Sequence, residues 1–232
     1  MPAVPAASVG RLASVPSFAS TARESQPPVE MSHMGLLILV LGLILFLGPH
    51  VFVTMRAQRT AAVKQLGEWP YKALFAVISV VGLYVTGKGF GIYDAAGPVV
   101  LWTAPSWTRH ITEALMLPAC ILVAAAYLPG NIKRVLKHPM LVGVKTWAVA
   151  HLIVNGDVGG IILFGSVLAW AVYDRITLKH RSDSGGPPIP EGGSKNDIAA
   201  VVVGIILYLA LGFVFHPLVV GRLVFGTPAF GT

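Results

Sequence analysis

The sequence predicts an all-α protein, a polytopic bundle of about six transmembrane helices with both termini on the outer, periplasmic side. Hydrophobic residues make up 55% of the 232 residues and charged residues only 12%. Soluble proteins carry about twice that charged share, about 25%. The mean hydropathy is +0.73. Because so few charges cannot cover the surface of a soluble domain, we expect one integral membrane domain.

Six apolar segments follow one another along the chain, and a membrane-spanning helix needs about 20 residues. They cover residues 35–55, 71–89, 108–128, 139–154, 158–173 and 198–219. The fourth and fifth are short, and the turn Asn155-Gly156-Asp157 predicts that they form a tight antiparallel hairpin. Residues 90–107 mix glycine, proline and aromatic residues, which predicts an interfacial segment rather than a span.

Basic residues alternate between the loops and predict the orientation. The odd loops hold Arg56, Arg59 and Lys64, then Lys133, Arg134 and Lys137, then Arg175, Lys179, Arg181 and Lys195. The second loop has only Lys88, and the fourth has no lysine or arginine. Since cytoplasmic loops are enriched in these residues, the odd loops are expected in the cytoplasm. Topology in the inner membrane therefore explains the net charge of +7, and no nucleic acid is expected as a partner.

The two ends of the chain are expected to lie outside the membrane domain. Residues 1–33 are rich in alanine, serine and proline and have little apolar periodicity, which predicts a disordered or mis-called N-terminal tail. Residues 34–225 form the membrane domain, and residues 226–232 form a C-terminal tail. Residues 182–194 are rich in glycine, proline and serine and predict a flexible loop.

Histidines are the main candidates for chemistry, because ionisable groups inside a membrane usually face the interior of the bundle. His50 and His151 lie within predicted spans, whereas His110, His138 and His216 lie at span ends. Two neutral imidazoles on facing helices at similar depth can ligate haem iron without a carboxylate or a cysteine. Depth alone leaves both His50 with His151 and His50 with His138 open, and His216 is a further alternative ligand. Zinc is less suited, because few carboxylates or thiols accompany the histidines.

Four other polar side chains have simpler expected roles. Arg109 and Glu113 are four residues apart, so we expect an ion pair on one helix face. Lys145 is expected to donate a hydrogen bond to a carbonyl group or to Asp157. Cys120 is the one cysteine, so no intrachain disulfide can form, and it is expected to be a small apolar filler.

The region from residue 129 to residue 175 resembles a known family. It contains Pro129-Gly130-Asn131-Ile132, His138-Pro139-Met140-Leu141, the run 145–152, Asn155-Gly156-Asp157, and the runs 164–166 and 169–175. With Gly48-Pro49-His50 and His216-Pro217, these segments closely resemble the NnrU family of bacterial membrane proteins over about residues 34–225.

The resemblance implies a cofactor and a set of ligands. The NnrU family is named for a role alongside nitrite and nitric oxide reduction in denitrifying bacteria. It is similar to the plant enzyme 15-cis-zeta-carotene isomerase, a membrane protein that contains haem b. By that similarity, His50 and His151 match the two haem-ligating histidines, and Trp147 and Asn155, one turn to either side of His151, would line the same site. The plant enzyme carries a cysteine three residues before its second histidine, where this chain has Ala148.

The resemblance favours one function and leaves two alternatives. The first is an accessory, electron-transfer or sensing component of nitrogen-oxide respiration that binds haem b and works with a redox or respiratory partner protein. The second is a haem-dependent cis–trans isomerase of a carotenoid-like polyene, and the missing cysteine counts against it. The third is a cofactor-free membrane scaffold or transporter.

Overall fold

A computed structural model describes residues 29–180 and 193–225, and within these ranges the chain is almost entirely helical. The helices are α1 (Val29–Thr54), α2 (Arg56–Leu66), α3 (Glu68–Ala95), α4 (Thr108–Tyr127), α5 (Asn131–Leu136), α6 (Pro139–Val154), α7 (Val158–Lys179) and α8 (Ser194–Ala210). A π-helical segment, Leu211–Val220, continues α8. The expected tails at residues 1–28 and 226–232, and most of the predicted flexible loop, lie outside the described residues.

The prediction of an all-α membrane bundle is confirmed. Five described helical stretches are long and apolar enough to cross a membrane: Glu30–Thr54, Glu68–Ala95, Thr108–Tyr127, Val158–Lys179 and Ser194–Val220. The remaining predicted segment, the fourth, is the shorter apolar helix Pro139–Val154. Which side of the membrane the termini face stays a prediction.

Several predicted boundaries were wrong, and for one physical reason. Apolar runs mark the part of a helix that lies in hydrocarbon, whereas the hydrogen-bonded helix continues into the polar interface. The first helix therefore begins at Val29 and contains His33, and the second reaches Ala95, inside the segment assigned to the interface. The fifth is not short, because it runs on to Lys179. Two of the basic loops contain helices of their own, α2 and α5.

Helix α7 connects two parts of the bundle. On one side it packs against α1, which is paired with α3, and on the other side it packs against α6, which leads to α4 and then α8. A buried cluster of Leu39, Leu43 and Val167 joins α1 to α7. Helices α1 and α7 run parallel, because the hydroxyl of Thr54 at the end of α1 lies 3.4 Å from that of Tyr173 near the end of α7. We call the end of the bundle that carries α2 and α5 the basic end.

The closest helix pair, α1 and α3, packs backbone against backbone through four glycines. Gly35 and Gly42 on α1 are seven residues apart, as are Gly82 and Gly89 on α3. Gly35 faces Tyr93 and Gly42 faces Thr86. On the other helix, Gly82 faces Phe46 and Gly89 faces Leu39. A Cβ atom at any of the four would overlap backbone atoms of the partner helix. Small residues at a helix interface allow this close approach in membranes, where packing drives association.

Segments outside the spans are fastened to the bundle at the basic end. The carboxylate of Asp197, in the first turn of α8, accepts hydrogen bonds from the backbone N–H groups of Asn131 (3.1 Å) and Ile132 (2.9 Å). The side chain of Asn196 donates to the Pro129 carbonyl group at 2.6 Å. Asp197 therefore caps α5, and this contact gives the Pro129-Gly130-Asn131-Ile132 motif a structural role.

We predict that Gly89→Ala destabilises the protein by about 1–3 kcal/mol, because the new methyl group would overlap the backbone of α1 at Ile38 and Leu39. Gly87→Ala is the matched control, since it lies on the same helix and a Cβ there meets nothing within 4 Å. The measurement is unfolding of both variants in detergent micelles. Equal stabilities of the two variants would contradict the assigned α1–α3 contact.

Candidate functional site

His50 lies near the basic end of α1 in an aromatic environment built by three helices. Its ring centroid is 4.8 Å from that of Phe46, 4.9 Å from Phe75 of α3 and 5.1 Å from Trp170 of α7. Its Nδ1 atom donates to the Phe46 carbonyl group at 2.7 Å. Since a carbonyl only accepts, Nδ1 carries a proton, and in the neutral imidazole Nε2 then keeps a lone pair. The imidazole therefore has the tautomer that an Nε2 metal ligand needs.

His151 lies in the last turn of α6 and has a similar environment. Its ring centroid is 5.0 Å from Trp147 and 4.7 Å from Phe164 of α7. Its Nδ1 atom donates to the Trp147 carbonyl group at 2.9 Å, which again leaves the Nε2 lone pair available. Asn155, expected to line the site, donates instead from its amide to the His151 carbonyl group at 2.8 Å. Asn155 thus supports the backbone of the histidine and makes no hydrogen bond to its ring.

The structure brings His151 close to a second histidine. His216, in the π-helical segment, has its ring centroid 6.3 Å from that of His151, and the two ring planes differ by 20°. Its Nδ1 atom donates to the carbonyl group of Leu211, five residues earlier, at 2.8 Å. His216 therefore presents the same tautomer as His50 and His151. The sequence places His151 and His216 at the same end of their helices, but their proximity depends on the packing of α4 against both α6 and α8.

His50 and His151 flank the same helix at different heights. Trp170 and Phe164, their respective contacts on α7, are six residues apart, or about 9 Å along the helix axis. Trp147 and Trp170 both pack against the buried cluster of Leu39, Leu43 and Val167. No ring contact joins His50 to His151 in the described part of the chain, and apolar side chains fill the region between α1, α6 and α7.

The remaining histidines lie elsewhere. His138 precedes α6 at the basic end, and His110 lies 3.5 Å from the Glu113 carboxylate at the opposite end. His180 is exposed at the end of α7, where its Nδ1 atom bonds the Ile176 carbonyl group at 2.8 Å. Because the exposed His180 makes the same bond, a bond from Nδ1 to a helix carbonyl group does not by itself identify a metal ligand. The aromatic surroundings distinguish His50 and His151 from His180. Among the described residues, no group of three or more histidine, cysteine, aspartate or glutamate side chains could hold a metal ion.

The other polar residues agree only in part with the expectations. Arg109 and Glu113 form the predicted ion pair at 2.8 Å, and Arg109 also donates to the Val224 carbonyl group. The expected hydrogen bond from Lys145 to Asp157 is not formed. The Asp157 carboxylate instead accepts from the Gly160 N–H at 2.8 Å and caps α7. Lys145 has no hydrogen bond or ion pair among the described residues. Cys120 is buried and free.

A loop covers the turn that follows His151, and sequence reasoning missed it. Leu101 and Trp102 both donate from their backbone to the Gly156 carbonyl group, at 2.7 and 3.1 Å. Val158 donates to the Val99 carbonyl group at 3.0 Å. The fully buried Tyr93 accepts a hydrogen bond from the Val99 N–H at 2.8 Å. The run Val99-Val100-Leu101-Trp102, rich in β-branched and aromatic residues, was a signal for extended backbone, but it was assigned to a membrane interface.

Comparison with families of known proteins gives one match. The model described as "NnrU protein" matches residues 38–223, a range that contains all three of the site histidines. No curated protein and no solved structure matches the chain.

We predict that Tyr93→Phe lowers the free energy of unfolding by about 1 kcal/mol, because the Val99 N–H loses its hydrogen-bond acceptor. Tyr84→Phe is the control, since Tyr84 is an exposed tyrosine on the same helix. Unfolding in detergent would measure both. Equal losses in the two variants would show that the hydroxyl of Tyr93 does not hold this loop.

Proposed function

The chain belongs to the NnrU family, and on that premise we propose that it binds haem b through His50 and His151. We further propose that it acts as an accessory, electron-transfer or sensing component associated with nitrite and nitric oxide reduction. The haem proposal rests on one observation, which is that the two imidazoles have similar surroundings and the same hydrogen bond. Each is surrounded by aromatic rings beside α7, and each has its Nδ1 proton bound to its own helix.

The two histidines supply the kind of donor atoms that haem iron binds. Two neutral imidazoles are a complete axial ligand set for haem iron and need no thiolate or carboxylate. The indole N–H of Trp170, beside His50, is buried and has no hydrogen-bond partner among the described residues. Such an orphaned donor is costly in an apolar interior and is expected where a further group completes the site. Helices α1 and α6 both pack on α7, and Trp147 of α6 also reaches the buried cluster of Leu39, Leu43 and Val167, so apolar side chains line the region between the two histidines.

Surrounding residues orient the proposed ligands. The Phe46 and Trp147 carbonyl groups hold the Nδ1 protons and so fix the tautomer and the ring orientation. Hydrogen bonds of this kind support ligating histidines in metal sites and raise ligand basicity. Asn155 holds the His151 carbonyl group at the end of α6. The aromatic rings of Phe75 and Trp170 pack against the His50 imidazole, and the ring of Phe164 packs against that of His151.

Two histidine ligands favour electron transfer or sensing over catalytic turnover. When bound, haem b would supply a one-electron redox centre, whose potential depends on its axial ligands and on burial. Two histidine ligands leave no open axial position for a substrate. Ala148, three residues before His151, is fully buried and offers no exchangeable thiolate. The isomerase alternative therefore lacks the residue that its mechanism would require.

We predict that the purified protein shows a low-spin b-type spectrum, and that His50→Ala and His151→Ala each lower haem affinity by more than about tenfold. The measurement is an oxidised and a dithionite-reduced spectrum with haem quantified as the pyridine haemochrome. His180→Ala is the matched control, because this exposed histidine makes the same Nδ1 bond without aromatic neighbours.

A fourth variant distinguishes the two histidine pairs. If His216→Ala and His151→Ala lose haem while His50→Ala retains it, the ligand pair is His151 with His216, and the assignment of His50 is wrong. If wild-type protein produced with ample haem carries none, the haem proposal fails as a whole.

A further inference from the structure

A cavity of about 320 Å³ lies at the basic end of the bundle, where α4 ends and α6 begins beside α7. Its wall is mostly apolar, and its polar members are Lys133, Lys137, His138 and Asp174. The volume lies at the small end of the range of about 300–1,000 Å³ for ligand sites. The cavity is therefore large enough for a headgroup-sized ligand.

Among the charged side chains of the cavity wall, two are lysines and one is an aspartate. Lys133 donates from Nζ to the Ala126 carbonyl group at 2.7 Å, which holds its ammonium at the wall with two further protons to donate. Lys137 is exposed and adds a second positive charge. Asp174 is the acid among the lining residues, and its backbone carbonyl group and its carboxylate accept from the Thr177 hydroxyl at 2.8 and 3.4 Å.

The backbone beside the cavity has a strained conformation at Lys137. Lys137 has φ = +61°, and it is the one non-glycine residue with positive φ in the described ranges. A hydrogen bond of 2.6 Å from the His138 N–H to the Leu136 carbonyl group closes a γ-turn around it. Such turns are rare and strained, and strain of this kind collects at binding sites. Helix α6 then begins without a side-chain cap, and its first residues, Pro139, Met140 and Leu141, line the cavity.

Lys145 supplies an independent reason to expect an anion here. It lies inside the membrane segment α6, is partly buried, and makes no hydrogen bond or ion pair with the described residues. Helical side chains lean toward the N-terminus of their helix, and Leu141, which lines the cavity, is four residues earlier on the same face. Lys145 is not itself among the lining residues, but this lean leads us to expect its ammonium group on the side of the basic end. An unpaired charge at membrane depth is costly and marks a functional site by default.

We propose that this cavity binds the phosphate of an anionic phospholipid headgroup. Its place at the ends of three helices puts it at headgroup level, and its apolar wall suits the glycerol and the first methylenes of the chains. Basic pockets between transmembrane helices commonly bind such headgroups. The lipid, unlike a soluble phosphate, reaches the cavity from the bilayer, where Lys145 also lies. The inference does not depend on haem.

The experiment measures lipid binding by the full-length protein in detergent, by native mass spectrometry during titration with phosphatidylglycerol. Phosphatidylcholine and soluble glycerol 3-phosphate are the comparison ligands. We expect phosphatidylglycerol to bind with clear preference, and Lys137→Gly and Lys145→Gln each to weaken it by about 5-fold. Lys137→Gly removes the charge and relieves the positive φ, so it preserves folding. Lys64→Gln, an exposed lysine of α2 outside the cavity, is the control and is expected to bind as the wild type does.

The remaining outcomes overturn the proposal in different ways. Equal binding of phosphatidylglycerol and phosphatidylcholine would show that the cavity does not select an anionic headgroup. An equal loss in Lys64→Gln would show that general surface charge attracts the lipid. Binding of glycerol 3-phosphate as tight as that of the lipid, with no preference among lipids, would make the ligand a soluble phosphate ester.

Discussion

The contact between α1 and α3 through their glycines determines how the rest of the structure is arranged. With Gly35 and Gly42 pressed against α3, the rotation of α1 about its own axis is set. The adjacent stripe, which holds Leu39 and Leu43, must then face α7, and His50 lies on that stripe, seven residues after Leu43. The same contact holds Phe75 of α3 beside the imidazole. Close packing of two helix backbones thus positions the first histidine of the site.

Two motifs noted in the sequence, Pro129-Gly130-Asn131-Ile132 and Asn155-Gly156-Asp157, make stabilising contacts at opposite ends of the bundle. At the basic end, Asn131 and Ile132 are fastened by the carboxylate of Asp197. At the other end, Gly156 lies so close to Trp102 that a Cβ atom would overlap its carbonyl oxygen. Both motifs combine a glycine that permits close approach with a polar residue that satisfies free backbone groups. The first joins α5 to α8, and the second holds the turn between α6 and α7, which follows His151.

The apolar runs were enough to predict the helices and the class of fold, because burial in hydrocarbon depends on local composition. Helix ends were not predictable in this way, as the extension of α7 to Lys179 shows. The aromatic environments of His50 and His151 depend on residues of other helices, such as Phe75 and Phe164, and no pattern within one span indicates them. The approach of His216 to His151 likewise depends on tertiary packing. In contrast, the seven-residue glycine spacing of α1 and α3 was visible in the sequence and could have predicted their contact.

The shortness of α6 has a consequence for the surrounding lipid. Its 16 residues rise about 24 Å, whereas the hydrocarbon core of a typical bilayer is about 30 Å thick. Where α6 meets lipid, a helix of this length would draw the two leaflets together, at a cost of a fraction of a kcal/mol for each ångström of mismatch. Such a mismatch would favour thinner regions of the bilayer.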